Sequence, residues 1–251
     1  MITWNTRQTK HFVFYTMDNS YADANIEKIM QEQESRIEEI LCCFPIKIPV
    51  KIKYWLCNTR EEVGEMTNDA PSNAMFVWDD DNTEDVSIYA VYSEDMQCTG
   101  YHEETHAVMH FLNEPLSTAL SEGVAVYMER LWWGIENDLC AYLYIDKGCY
   151  VSVEQLICEK QKNEVEYFYA VKESVSYPTM GAFVGFLLSK DENGQENFLK
   201  IYQYQGEDWR EEFQRIYQCS LGELENQFLD YIKNRIYSQN EIMYGEKRLG
   251  L

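Results

Sequence analysis

The sequence predicts an α+β chain in which a strand-bearing N-terminal half precedes a mainly helical C-terminal half. Three observations predict it. Apolar residues alternate with lysines between Ile46 and Leu56, the period-two signature of a half-buried strand. A second pair of β-rich segments, Ala74–Trp78 and Val86–Val91, flanks an acidic turn. Beyond Trp133 the apolar positions recur at helical spacing. At 251 residues, 45% of them apolar, the chain suits one large domain with a substantial core. The expected organisation is a single domain over 1–251, with a strand-bearing subdomain 1–98 and a helical subdomain 99–251.

The elements follow in order. His11–Thr16 is β-rich and apolar on both faces, which predicts a buried strand. Ala24–Phe44 carries a helical stripe at Ile26, Ile29, Met30, Ile37, Ile40, Leu41 and Phe44. In the alternating strand that follows, Pro49 marks an edge or bulge, because proline offers no N–H to a ladder. Thr59 with Glu62 has the spacing of a capping box and predicts a short helix. The run Asp79–Asp85 is most simply the turn of a hairpin. A calcium loop would need a glycine and a terminal glutamate that are missing. Gly181–Leu187, Phe198–Tyr204, Phe213–Tyr217 and Leu221–Ile232 read as helices, with Asp191–Gly194 as a turn. Phe183, Phe186 and Phe198 are expected to pack in the core, and Trp132 and Trp133 to pack at a helix end before Gly134.

Composition narrows the partners. A net charge of −22 disfavours nucleic acid and anionic membrane surfaces, and is read as solubility before any preference for basic substrates. No run approaches a membrane span, and Met1–Tyr15 has no leader-type apolar core, so a cytoplasmic location is expected. The eight cysteines, at 42, 43, 57, 98, 140, 149, 158 and 219, form no C-x-x-C pair. They read as small buried hydrophobes in a reducing compartment.

The most informative stretch is His102-Glu103-Glu104-Thr105-His106. It holds two of the chain's four histidines, set around a glutamate. On a helix, residues four apart share a face, so both imidazoles can converge on one ion. Zinc accepts such nitrogens with a carboxylate, and catalytic sites keep a fourth position for water. Glu103, one residue round from His102, can flank the ion and take a proton from that water as general base. Glu104 points elsewhere and is read as a surface acid.

A third ligand has to come from another element. Asn113-Glu114-Pro115 ends the preceding helix, and Ser117 or Thr118 can cap a second one running to about Trp133. Two antiparallel helices would then turn Glu122, sixteen positions after His106, toward the histidines. His110 is the rival ligand. It lies roughly 12 Å of helical rise from His102, which favours a packed histidine instead.

His102–His106, then Leu120-Ser121-Glu122-Gly123-Val124-Ala125, then Tyr177 with Gly181-Ala182-Phe183-Val184-Gly185-Phe186-Leu187 resemble the gluzincin metallopeptidases, specifically their peptidase MA-like group. The resemblance covers nearly the whole chain. It implies a zincin-like fold with a mixed sheet in the N-terminal half, the active-site helix between the halves, and one zinc ion per chain. It implies His102, His106 and Glu122 as zinc ligands and Glu103 as general base. It offers Tyr177 as the donor to a developing oxyanion. It also implies an edge strand above the cleft that pairs with substrate backbone, here Val86–Val91. Two departures stand out. Ala119 replaces the group's usual tryptophan, and the aminopeptidase G-x-M-E-N signature is absent. The expected activity is therefore zinc-dependent hydrolysis of a peptide or protein, with no support for recognition of a free amino terminus. The alternative is a non-catalytic zincin-fold binding or regulatory protein.

Overall fold

The computed structural model describes residues 3–79, 82–113, 116–161 and 164–251. The chain forms two compact units that part between Leu112 and Asn113. The acidic turn at Asp80 and Asp81, with the calcium-loop reading attached to it, lies outside the described residues, as does the Glu114-Pro115 helix stop.

The N-terminal unit is built on a mixed sheet. Its strands are β1 (Trp4–Gln8), β2 (Phe12–Met17), β3 (Ile52–Cys57), β4 (Ala74–Asp79) and β5 (Asn82–Val91), in the spatial order β1-β2-β3-β5-β4. β2, β3 and β5 run parallel, while the outer strands β1 and β4 are antiparallel to their neighbours. A one-turn helix, α1 (Tyr21–Ala24), leads into α2 (Ile26–Cys43). α3 (Arg60–Thr67) and α4 (His102–His110) complete the unit.

Strand alternation divides the sheet into two faces. Phe14, Tyr54, Ile88 and Phe76 stand in register on one face, and the first three are buried. α2 packs there through Ile26, Ile29, Ile37 and Ile40, the stripe expected from the sequence. Burying each such side chain stabilises the fold by about 1.5–3 kcal/mol. On the opposite face Tyr15, Trp55, Tyr89 and Met75 are in register. Tyr15 stacks on Trp55 at 3.8 Å between ring centres, and Trp4 meets Trp55 edge-on at 5.1 Å.

Four expectations change here. β2 is not buried on both faces, because Val13, Tyr15 and Met17 are only half-buried. The strand expected from Ile46 begins at Ile52. Pro45 and Pro49 deprive the stretch before it of ladder donors, and the Ile52 N–H joins the sheet by donating to the His11 carbonyl at 2.9 Å. Thr59 caps α3 by accepting from the Glu62 N–H, but the Glu62 carboxylate reaches back to the Asn58 N–H at 2.7 Å, one residue beyond a capping box. Finally, Val86–Val91 is not an edge. β5 pairs with β3 on one side and β4 on the other, so the edge next to it is β4.

The C-terminal unit is helical, with one small hairpin. α5 (Thr118–Glu129) is followed by β6 (Leu131–Trp132) and β7 (Ile135–Glu136). Then come α6 (Asn137–Asp146), α7 (Val153–Cys158), a 3-10 turn at Tyr167–Ala170, α8 (Glu173–Ser189), α9 (Gly194–Tyr202), α10 (Trp209–Tyr217), α11 (Leu221–Lys233) and α12 (Gln239–Leu249). Trp132 and Trp133 therefore do not sit at a helix end. α5 stops at Glu129, and Trp133 (φ 51°) with Gly134 (φ 84°) makes the two-residue turn of the hairpin. Positive φ at both central positions is the geometry that a twisted two-residue hairpin requires.

α5 and α8 approach closely because glycine lies in their contact. A Cβ on Gly181 would stand 2.7 Å from Val126 Cγ1, and one on Gly123 would stand 3.1 Å from the Met180 carbonyl oxygen. Phe183, Phe186 and Phe198 are buried as expected. Pro178 lies inside α8 and cannot donate to the carbonyl of Ser174. The Tyr144 hydroxyl donates to that carbonyl instead. No helix among the described residues is long and apolar enough to cross a membrane. Cys57 and Cys140 are buried, whereas Cys42 and Cys149 are exposed, against the expectation of small buried hydrophobes throughout.

Candidate metal centre

α4 carries the histidine motif and starts without a side-chain cap. Its first turn is closed from within. The Tyr101 carbonyl accepts from the Thr105 N–H at 2.8 Å and from Thr105 Oγ1 at 2.6 Å. The His102 and His106 rings lie 4.8 Å apart between centroids and cross at 74°, side by side on one face as their spacing requires. Both are half-buried, as is Glu103.

β4 supplies aromatic walls to this helix. Phe76 lies 6.4 Å from the His106 ring and 5.5 Å from His110, and Trp78 lies 5.3 Å from His110. His110 is thus a packed residue at the end of α4, in keeping with its reading from helical rise.

Glu104 overturns its sequence reading. It is not a surface acid but fully buried, and it accepts from the Tyr54 hydroxyl at 2.8 Å. The Gln33 amide, oriented with its nitrogen toward Glu104, donates to the same oxygen at 2.5 Å, while its own oxygen accepts from Arg36 Nη1 at 2.7 Å. Burial pushes the Glu104 carboxyl up to about 8, against the Tyr54 hydrogen bond, which lowers it. A signal for this cluster exists in the sequence. Gln33 interrupts the apolar stripe of α2, and a polar side chain at a core position implies a buried partner.

In the C-terminal unit, α5 presents Glu122 in its second turn, half-buried. Ser117 caps the helix through the Leu120 N–H, as expected, and the Glu166 carboxylate accepts from the Thr118 N–H at 3.1 Å. These bonds satisfy two of the donors that a helix start leaves open. Tyr202, fully buried, is hydrogen-bonded to Ser121, and burial together with the Glu122 charge raises its hydroxyl. Tyr177 lies near the start of α8, half-buried, with Trp132 at 5.4 Å and Phe168 at 5.2 Å between ring centres.

Among the described residues, one group of three metal-ligating side chains has its ligand atoms within 4.8 Å of one another: His102, His106 and Glu122. Two imidazole nitrogens and one carboxylate oxygen form a donor set suited to a divalent ion with an open position. The chain matches no protein-family model and no curated protein.

Proposed function

We propose that this chain is a gluzincin-type zinc metallopeptidase in which His102, His106 and Glu122 hold the ion and Glu103 is the general base. The observation that carries the reading is the gathering of those three ligand atoms, drawn from residues that the sequence alone singles out. Zinc is the metal proposed, since imidazole with carboxylate on helices suits it. When bound, the ion supplies Lewis acidity toward the scissile carbonyl and acidifies water at its open position.

The remaining chemistry belongs to side chains. Glu103, next to His102 on α4 and half-buried like it, accepts the proton lost by the attacking water on a carboxylate oxygen. It returns that proton to the departing amine nitrogen. One C–O bond forms and one C–N bond breaks, with no redox change. Such proton transfer contributes about 10²–10⁴-fold to rate. Tyr177 is proposed as the oxyanion donor, its hydroxyl carried on a ring held by Trp132 and Phe168. Substrate backbone is proposed to add to β4, which is an edge strand and carries Phe76 beside His106.

The test is metal content by elemental analysis beside turnover of a peptide library. About one zinc per chain in wild type and in Glu103→Gln, lost in His106→Ala and Glu122→Ala, with cleavage only by wild type, is the expected result. Wild type without metal after zinc is offered, or an active Glu103→Gln, overturns the reading.

A further inference from the structure

Resting on the ligand reading above, we infer that Glu104 is a positioning residue, which fixes the rotation of α4 so that His102 and His106 face the metal. Glu104 is two residues from each histidine. At about 100° per residue it therefore lies about 200° round the helix from either, on the back of the face they share. A hold on Glu104 is a hold on the direction in which both imidazoles point.

That hold is polar and comes from two elements. Tyr54, fully buried on β3, donates to Glu104 Oε1 at 2.8 Å. Gln33, fully buried on α2, donates to the same atom at 2.5 Å and is itself held by Arg36. A second attachment lies one turn earlier. The Tyr101 hydroxyl donates to Glu39 Oε2 at 3.0 Å, and the Arg36 guanidinium stands 5.7 Å over the Tyr101 ring. His102 and Glu103 lie between these two attachments.

A carboxyl side chain at this position has a geometric rationale. Apolar packing on the back of a helix tolerates small rotations, whereas hydrogen bonds from two directions to one carboxylate oxygen do not. A 20° rotation of a helix with side chains reaching about 5–6 Å from its axis displaces an imidazole by about 2 Å. That is as large as the whole zinc–nitrogen distance, about 2.0–2.1 Å. A buried polar cluster that served stability alone would make no demand on metal affinity, and this separates the two roles.

The experiment compares wild type with Glu104→Gln, Glu104→Leu and Tyr54→Phe. Zinc affinity is measured by chelator competition, ligand geometry by the visible spectrum of the cobalt-loaded protein, and stability by urea unfolding of the metal-free protein. Glu104→Gln, which keeps an acceptor toward Tyr54, is expected to bind zinc within about threefold of wild type with an unchanged cobalt spectrum. Glu104→Leu is expected to lose about 10–100-fold in zinc affinity and to shift the cobalt bands while staying folded without metal. Tyr54→Phe is expected to move both readouts the same way by less, and it carries the test if Glu104→Leu does not fold. A folded Glu104→Leu, or failing that a Tyr54→Phe, with wild-type affinity and spectrum overturns the inference and leaves the ligand reading intact. Wild type that takes up no zinc overturns the ligand reading and this inference with it.

Discussion

The Tyr144 hydroxyl donates to the Ser174 carbonyl, the one group in α8 that Pro178 leaves without its helical partner. Tyr144 is buried and belongs to the cluster of Ile135, Leu139, Cys140 and Leu143. One side chain thus ties the irregular start of α8 to the core of α6. Tyr144→Phe keeps the ring and removes only the donor. It is expected to lower stability by about 1–3 kcal/mol, the cost of an unsatisfied buried acceptor, read as a lower urea midpoint at unchanged slope.

Glu225 is buried and accepts from four donors: Tyr150 Oη at 2.7 Å, Ser152 Oγ at 2.8 Å, the Val153 N–H at 2.9 Å and the Glu154 N–H at 3.2 Å. It closes the N-terminal end of α7 from α11, where the helix dipole also favours a carboxylate. Glu225→Ala leaves those donors to find water or nothing. A loss of about 3 kcal/mol or more is expected, measured by thermal unfolding. A variant as stable as wild type would show that α7 does not need this carboxylate.

Gly181 faces Val126 with no room for another carbon. In a helix interior, alanine ordinarily stabilises by roughly 0.5–1 kcal/mol relative to glycine. Here the new Cβ would meet Val126 Cγ1 at 2.7 Å, and Val126 is fully buried. Gly181→Ala is therefore expected to destabilise by about 1–3 kcal/mol, the opposite sign to the propensity effect. Chemical denaturation decides between the signs.

The Glu104 carboxyl sets a pH dependence in the metal-free protein. Its ordinary value of 4.5 is raised to about 8 by burial. Below 4.5 the group is protonated whether the chain is folded or unfolded, and its contribution to stability is fully present. Between those values the unfolded chain ionises while the folded one holds the proton, so stability falls as pH rises. Above about 8 the loss is complete. Glu104→Gln is expected to flatten the urea midpoint across that window relative to wild type. An equal slope in both proteins would assign the dependence to other groups.

Much of this arrangement is legible in the sequence. The residues that gather as possible ligands are the ones that helical spacing and the resemblance select, and the alternation around Tyr54 marks β3 correctly from Ile52 onward. What escapes depends on partners distant in the chain. Glu104 reads as exposed because a charged residue beside another on a helix usually is, and only Gln33 in the stripe of α2 hints otherwise. The hairpin Ala74–Trp78 with Val86–Val91 is visible locally. Which of its strands forms the edge depends on β3 pairing with β5, a contact that no local pattern encodes. Trp133-Gly134 hides a turn because tryptophan is an unusual residue at positive φ. Ser238 and Glu241, at capping-box spacing, mark the start of α12, and the structure forms that box.

The strand order has a consequence for how the N-terminal sheet assembles. β1 with β2, and β4 with β5, are neighbours in the chain, and such hairpins close in about 1–10 μs. β3 is different, since both of its seams are parallel and each must wait for a long intervening stretch to fold back. Two preformed ribbons must therefore find the same middle strand. Once they have, β3 cannot leave without splitting the sheet into halves, so its amide hydrogens should be among the slowest in the molecule to exchange with solvent.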